Sequence, residues 1–208
     1  GTKVVLIIDE AQNLNKDVLE QNLYNEPETF STGPQYGYKF RGIADPDVYF
    51  DENTSRLMLN YRSAFIRLAM YYMNVEPNPQ KGIAALERME QLIPQKKIPM
   101  GWELMSDLAN IYHRLGKEDR FTELANELET VSRELIASGQ ANLNSYYNPY
   151  RVLLDIYDIR KENRKSLELL QSLQTQFPND PNLNQRVEFL KAQIALEESA
   201  RKDTTRRP

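Results

Sequence analysis

The chain contains no cysteine, one histidine and one tryptophan in 208 residues, and only 8 glycines and 11 prolines. The absence of cysteine excludes disulfides, thiolate metal sites and cysteine nucleophiles, and it is neutral on redox compartment. A lone His113 rules out imidazole ligand clusters and most His-centred triads within the chain. The low glycine and proline content excludes collagen-like or low-complexity architecture. There is also no run of 18 or more apolar residues, so the sequence predicts neither a signal peptide nor a membrane span. Lys and Arg number 26 against 30 Asp and Glu, a net charge of −4, which gives no global electrostatic case for nucleic acid as a partner. What is present is an ordinary globular balance, 40% apolar and 27% charged, long enough to bury a core without covalent staples. An opening Gly1 in place of Met reads as a protease scar, so the sequence is expected to be a fragment of something longer.

Three regions follow from the patterning, with boundaries at 1–50, 51–199 and 200–208. Residues 3–8, KVVLII, form the strand-like run. Asn15 then offers an N-cap to a short helix reaching about Asn25. Residues 26–50 are rich in Gly and Pro and predict a long connection. They also hold Phe30, Tyr36, Tyr38, Phe40, Ile43, Tyr49 and Phe50, more apolar surface than a free linker would leave in water, so the loop is expected to pack on the helices.

From Asp51 onward the period is helical. Leu57, Tyr61, Ala64, Phe65, Leu68, Ala69 and Tyr72 recur every three or four residues as one buried face of a helix over 52–74. Further helices are predicted at 80–93, 100–115, 117–137, 150–160, 163–177 and 181–199, with stops at Pro77, Pro94, Gly116, Gly139 and Pro178. The tail RKDTTRRP is charged and is expected to fray.

Two local motifs resemble known chemistry. VVLIIDEAQN, residues 4–13, looks like the Walker B strand of an AAA-type ATPase, with Asp9 toward Mg²⁺ and Glu10 toward water. The phosphate cradle such chemistry needs, Gly-x4-Gly-Lys-Ser/Thr, is nowhere in the chain, so an amino-terminal strand followed by an acidic turn accounts for the residues. Asp45, Asp47, Asp51 and Glu52 supply oxygen ligands without EF-hand spacing, and an N-cap at Asp51 or Asn53 explains them more cheaply. No cofactor and no metal site is expected.

Candidate binding residues are Trp102 and His113, nearly on one side of the third long helix with Tyr112 adjoining, and the group Tyr146, Tyr147, Tyr150 and Arg151, with Asn148 and Tyr157 nearby. Tyrosine combines apolar area with a polar tip and is common in recognition surfaces. For Tyr150 and Tyr157 core packing is the favoured reading. Arg160, Lys161, Arg164 and Lys165 read as a solvated turn.

LANIYHRLGKEDRFTELANEL, residues 108–128, resembles the tetratricopeptide repeat through Leu108, Ala109, Tyr112, Gly116, Ala125 and Leu128, with Phe121 large where that family is small. A second unit has Tyr150, Leu153, Leu154, Tyr157, Leu170, Leu173 and Pro178, with Lys161 where Gly116 stood. The resemblance implies an all-α, right-handed stack of three helical hairpins, with the last helix as a cap and a concave face that binds something. The segment YKFRGIADPDVYFDENTSRLMLNYRSAFIRLA, residues 38–69, resembles the start of the soluble carboxy-terminal region of a Bacteroidetes-type multi-pass membrane protein family, itself similar to protein O-mannosyltransferases of the glycosyltransferase C type. Arg41, Gly42, Pro46, Val48, Tyr49, Asp51, Glu52, Asn53, Arg56, Asn60, Tyr61 and Arg62 carry it. The resemblance implies a non-catalytic, extracytoplasmic interaction module, with its own membrane domain and a protein or glycan as partners. An intracellular adaptor of the same fold and a fragment of a nucleotide hydrolase are the alternatives.

Overall fold

The computed structural model describes residues 14–29, 32, 33, 35 and 37–204, with side chains through Ser199. The KVVLII strand, Asp9, Glu10, Phe30, Tyr36 and residues 205–208 lie outside the described residues. Those described form eight α-helices and no strand: α1 Lys16–Tyr24, α2 Glu52–Asn74, α3 Pro79–Leu92, α4 Trp102–Arg114, α5 Glu118–Ala137, α6 Pro149–Arg160, α7 Asn163–Gln176 and α8 Pro181–Thr204. The all-helical expectation from Asp51 onward is met. The last helix runs past Ser199, where the pattern placed its end, to Thr204. Among the described residues no helix is long and apolar enough to cross a membrane.

Helix starts follow side-chain chemistry. Asn15 Oδ1 accepts from Val18 N–H at 3.2 Å, Asp51 Oδ1 from Thr54 N–H at 2.7 Å and Asn78 Oδ1 from Lys81 N–H at 3.1 Å, each satisfying an otherwise orphaned donor of the first turn. Asp51 is thus the cap, and its carboxyl is held below the usual carboxylate range by the Thr54 hydrogen bonds. Among the described residues no group of three or more acidic or imidazole side chains is placed to hold a metal ion, so Asp45, Asp47, Asp51 and Glu52 do not converge on a cation. Three helix ends share one device. Gly116 (φ 81), Gly139 (φ 71) and Lys161 (φ 58) are all left-handed. Each sets the following N–H on a carbonyl five residues back: Lys117 on Tyr112, Gln140 on Leu135 and Glu162 on Tyr157.

The chain divides into two compact units, 1–124 and 125–208. In the first, α2 pairs with α3 and also meets α1 and α4. Phe65, Leu68, Ala69, Tyr72, Ala85, Leu86, Met89, Leu108 and Tyr112 fill its interior. Leu57, expected in the buried stripe, is 59% exposed: the 23-residue α2 is longer than the 14-residue α3 it pairs with, and its buried residues begin only at Arg62. Arg62, a polar letter within the stripe, is buried completely.

The 25–50 loop packs as expected in part. Phe40 and Ile43 are buried, and the Phe40 ring lies 5.5 Å from Tyr61 and 5.7 Å from Phe65. Gly37 N–H donates to Asn22 Oδ1 at 2.9 Å, and at φ 114 a Cβ there would sit 1.7 Å from the Asn25 carbonyl oxygen, so only glycine fits this approach. Tyr49, by contrast, is 86% exposed, because Lys97 Nζ, bonded to the Pro46 carbonyl at 2.8 Å, and the Asp51 cap hold the backbone on either side of it.

In the second unit α7 packs on α6 and α8 on α7. Leu170, Val187 and Leu190 make a buried cluster flanked by Leu154, Leu167, Leu173 and Leu183. From α8, Val187 and Leu190 are buried in this cluster and Leu183 packs against it, whereas Phe189 is 59% exposed.

Candidate functional site

Residues 138–148, SGQANLNSYYN, join α5 to α6 without a single charged side chain in a chain that is 27% charged. Glycine, serine, asparagine and tyrosine dominate, the composition that antibody loops use for adaptable recognition. The loop is braced by its own hydrogen bonds. Ser145 N–H donates to the Asn142 carbonyl at 3.1 Å and Asn144 N–H to Asn142 Oδ1 at 3.0 Å, a local Asx-type turn. Asn148 closes the far end, its Nδ2 donating to the Leu143 carbonyl at 3.1 Å and its Oδ1 accepting from Tyr150 N–H at 3.0 Å.

The expected site residues part company here. Tyr146 is 57% exposed; the Tyr147 ring meets it edge-on at 5.0 Å and the Arg151 guanidinium lies 5.2 Å from its centre, a cation–π contact. Arg151 also pairs with Asp155 at 3.9 Å. These three residues form one surface group. Tyr150 does not join it: its side chain is buried and its hydroxyl accepts from Gln176 Nε2 at 3.5 Å, so it packs in the core, the reading favoured for it in the sequence.

Trp102 and His113 belong to the first unit, at opposite ends of α4. Trp102 is half-buried. His113 Nδ1 lies 2.8 Å from Glu118 Oε1 and its ring 5.1 Å from that of Phe121, which assigns it to fastening the α4–α5 turn. The oversized Phe121 is buried beside it.

A second polar group, in the second unit, escaped the sequence reading. Tyr157 O–H donates to Glu129 Oε1 at 2.9 Å, and Glu129 pairs with Arg133, Arg160 and Lys165, each at 3.3 Å. Arg160 and Lys165 are thus tied into this group, the Arg160 side chain 15% exposed and that of Lys165 39%. Burial raises the Tyr157 hydroxyl to about 12, with the Glu129 carboxylate adding to the effect. Burial would raise Glu129 too, but the Tyr157 hydroxyl and the Lys165 ammonium outweigh it and hold the carboxyl below its ordinary value. A depressed folded pKa means stability that is present above the unfolded pKa, about 4.3, and is lost as pH falls through the folded value. Glu129→Gln is accordingly expected to lower the urea midpoint at pH 7 and to flatten its fall between about pH 5 and pH 3. An unchanged acid limb would place the acid sensitivity elsewhere. Only the Arg133 spacing to Glu129 (i, i+4) was available in sequence; the other partners come from α6 and α7.

A cleft of about 670 Å³ between α1, α2 and α3 includes Glu20, Tyr24, Tyr72 and Lys81 in its lining. Three of its polar groups engage one another: Tyr72 O–H donates to Glu20 and the Lys81 ammonium sits 5.1 Å from the Tyr72 ring centre. The 138–148 loop is the stronger recognition candidate because its exposed groups stand on a braced backbone.

No family model, curated protein or solved structure matches the chain.

Proposed function

We propose that the chain is a non-catalytic helical-hairpin interaction module of tetratricopeptide-like type, joined in its parent protein to a multi-pass membrane domain and facing away from the cytoplasm. The observation that carries the recognition role is the uncharged 138–148 loop, braced by its own hydrogen bonds and presenting the exposed Tyr146 in contact with Tyr147 and Arg151. Such preorganisation lowers the ordering cost of binding. The tetratricopeptide-like reading is supported by Ala109 and Ala125, both buried at the small-residue positions, and by the repeated left-handed stops at Gly116 and Lys161.

The membrane-family resemblance is supported by the work its residues do. Asp51 caps α2, Arg41 Nη2 donates to the carbonyls of Pro27 at 2.8 Å and Glu28 at 2.9 Å, Tyr61 meets Tyr38 edge-on at 5.1 Å, and Arg62 is buried. These positions build the first unit, so a related fold would need them.

The test is site-specific photo-crosslinking in the full-length parent within its own cells. A benzophenone side chain in place of Tyr146 is expected to trap one defined adduct on the outer face of the membrane, and the same group in place of Phe189 none. A parent found only in the soluble cytoplasmic fraction would overturn the membrane reading, and no adduct at 146 would overturn the recognition role.

A further inference from the structure

The chemistry of the α5–α6 loop narrows the ligand. We propose that it binds a neutral oligosaccharide, an inference resting on the recognition role argued above. Because residues 138–148 carry no charge, a charged ligand gains little from the loop itself, and the neighbouring Arg151 already has Asp155 as counter-ion. What the loop offers is neutral hydrogen bonding beside an aromatic ring.

Gln140, Asn142 and Asn144 are exposed side-chain amides. An amide carries donor and acceptor together, the arrangement that adjacent sugar hydroxyls match. Asn142 spends its Oδ1 on Asn144 N–H, which leaves its NH2 as the group to offer. In the same loop, Tyr146 is 57% exposed, with Tyr147 edge-on to it and Arg151 over one part of its ring, and its remaining exposed ring surface is the apolar patch offered to the C–H face of a pyranose. The few contacts on an open surface predict an affinity on the order of a millimolar per short oligosaccharide.

The probes are mannotetraose, chitotetraose and maltotetraose at millimolar concentrations, titrated into the ¹⁵N-labelled chain, with tetragalacturonate as the acidic control. At least one neutral sugar is expected to give saturable shifts concentrated in the amides of residues 140–151. Tyr146→Ala is expected to weaken that binding roughly tenfold or more, and Asn144→Ala to weaken it with the spectrum elsewhere unchanged, so that the result does not depend on one variant's folding. Phe189→Ala is expected to leave it alone.

Silence with all three neutral sugars, shifts that survive both loop variants, or an equal response to tetragalacturonate would each overturn the assignment. If the sugars are silent while the crosslinker at 146 traps one defined protein, the glycan assignment fails and the recognition role stands; silence in both experiments ends both.

Discussion

Arg62→Ala is expected to lower the unfolding free energy of the first unit by about 3 kcal/mol or more, read as a shifted urea midpoint with an unchanged slope. The Arg62 side chain is fully buried, and its Nη2 donates to the carbonyl of Ile93 at 3.0 Å and to that of Ile98. Ile93 is the C-cap of α3, and Ile98 lies in the connection leading to α4. One guanidinium from the middle of α2 thereby fastens the whole α3–α4 connection. Burial pushes its pKa down while the Glu90 carboxylate opposes that, and Glu90 is itself fixed by Arg120 at 2.8 Å.

Alanine would strand two carbonyls and open a cavity, and both effects are destabilising. Arg62→Met separates the two. It restores volume without donors and relieves the buried charge, so it should fall between wild type and alanine. Methionine matching or exceeding wild type would mean that the two hydrogen bonds contribute nothing net, and the clamp would be only a space-filler.

Deleting residues 1–50 is the second large effect expected: a drop of roughly 5 kcal/mol in the first unit, from three buried side chains at about 1.5–3 kcal/mol each before ordering entropy is subtracted. For a chain of this size that corresponds to about 10–20 °C in melting temperature. The three are Leu23, Phe40 and Ile43. Their removal uncovers Phe65 and Tyr61, which the Phe40 ring covers. It also strips the Tyr72 hydroxyl of Glu20 and Arg88 Nε of the Leu23 carbonyl, a 3.2 Å bond. Tyr49→Ser, at a position 86% exposed, should leave the melting temperature within a degree or two by the same accounting. A shortened chain melting within a few degrees of the parent would show that the segment is a linker.

The contrast between Phe40 and Tyr49 marks how far the sequence could be read. That the loop must pack was visible in its aromatics; which rings go inward depends on where Lys97, fifty residues away, pins the backbone. Caps at Asn15 and Asp51 and stops at Gly116 and Gly139 were legible because they are decided within a few residues. Arg62 was not, since periodicity marks a buried position by its apolar letter and an arginine there reads as an interruption. Leu57 failed in the opposite sense: its letter fits the stripe, but burial needs a partner helix of matching length. In the candidate site, Tyr146 and Tyr150 are four apart and would share a helix face, yet the Asn148 cap places the helix start between them, sending one to solvent and the other to the core. The Glu129 group joins residues 24 to 36 positions distant, beyond any local pattern.

The uncharged character of the 138–148 loop also has a kinetic consequence. A surface without net charge casts no long-range field, so encounter with a ligand there is unsteered, and its rate is the ordinary one set by diffusion and orientation. Added salt would screen the ion pairs around Glu129 but has little to screen at the loop. Discrimination between ligands at such a surface is then exercised after contact, in how long each one stays.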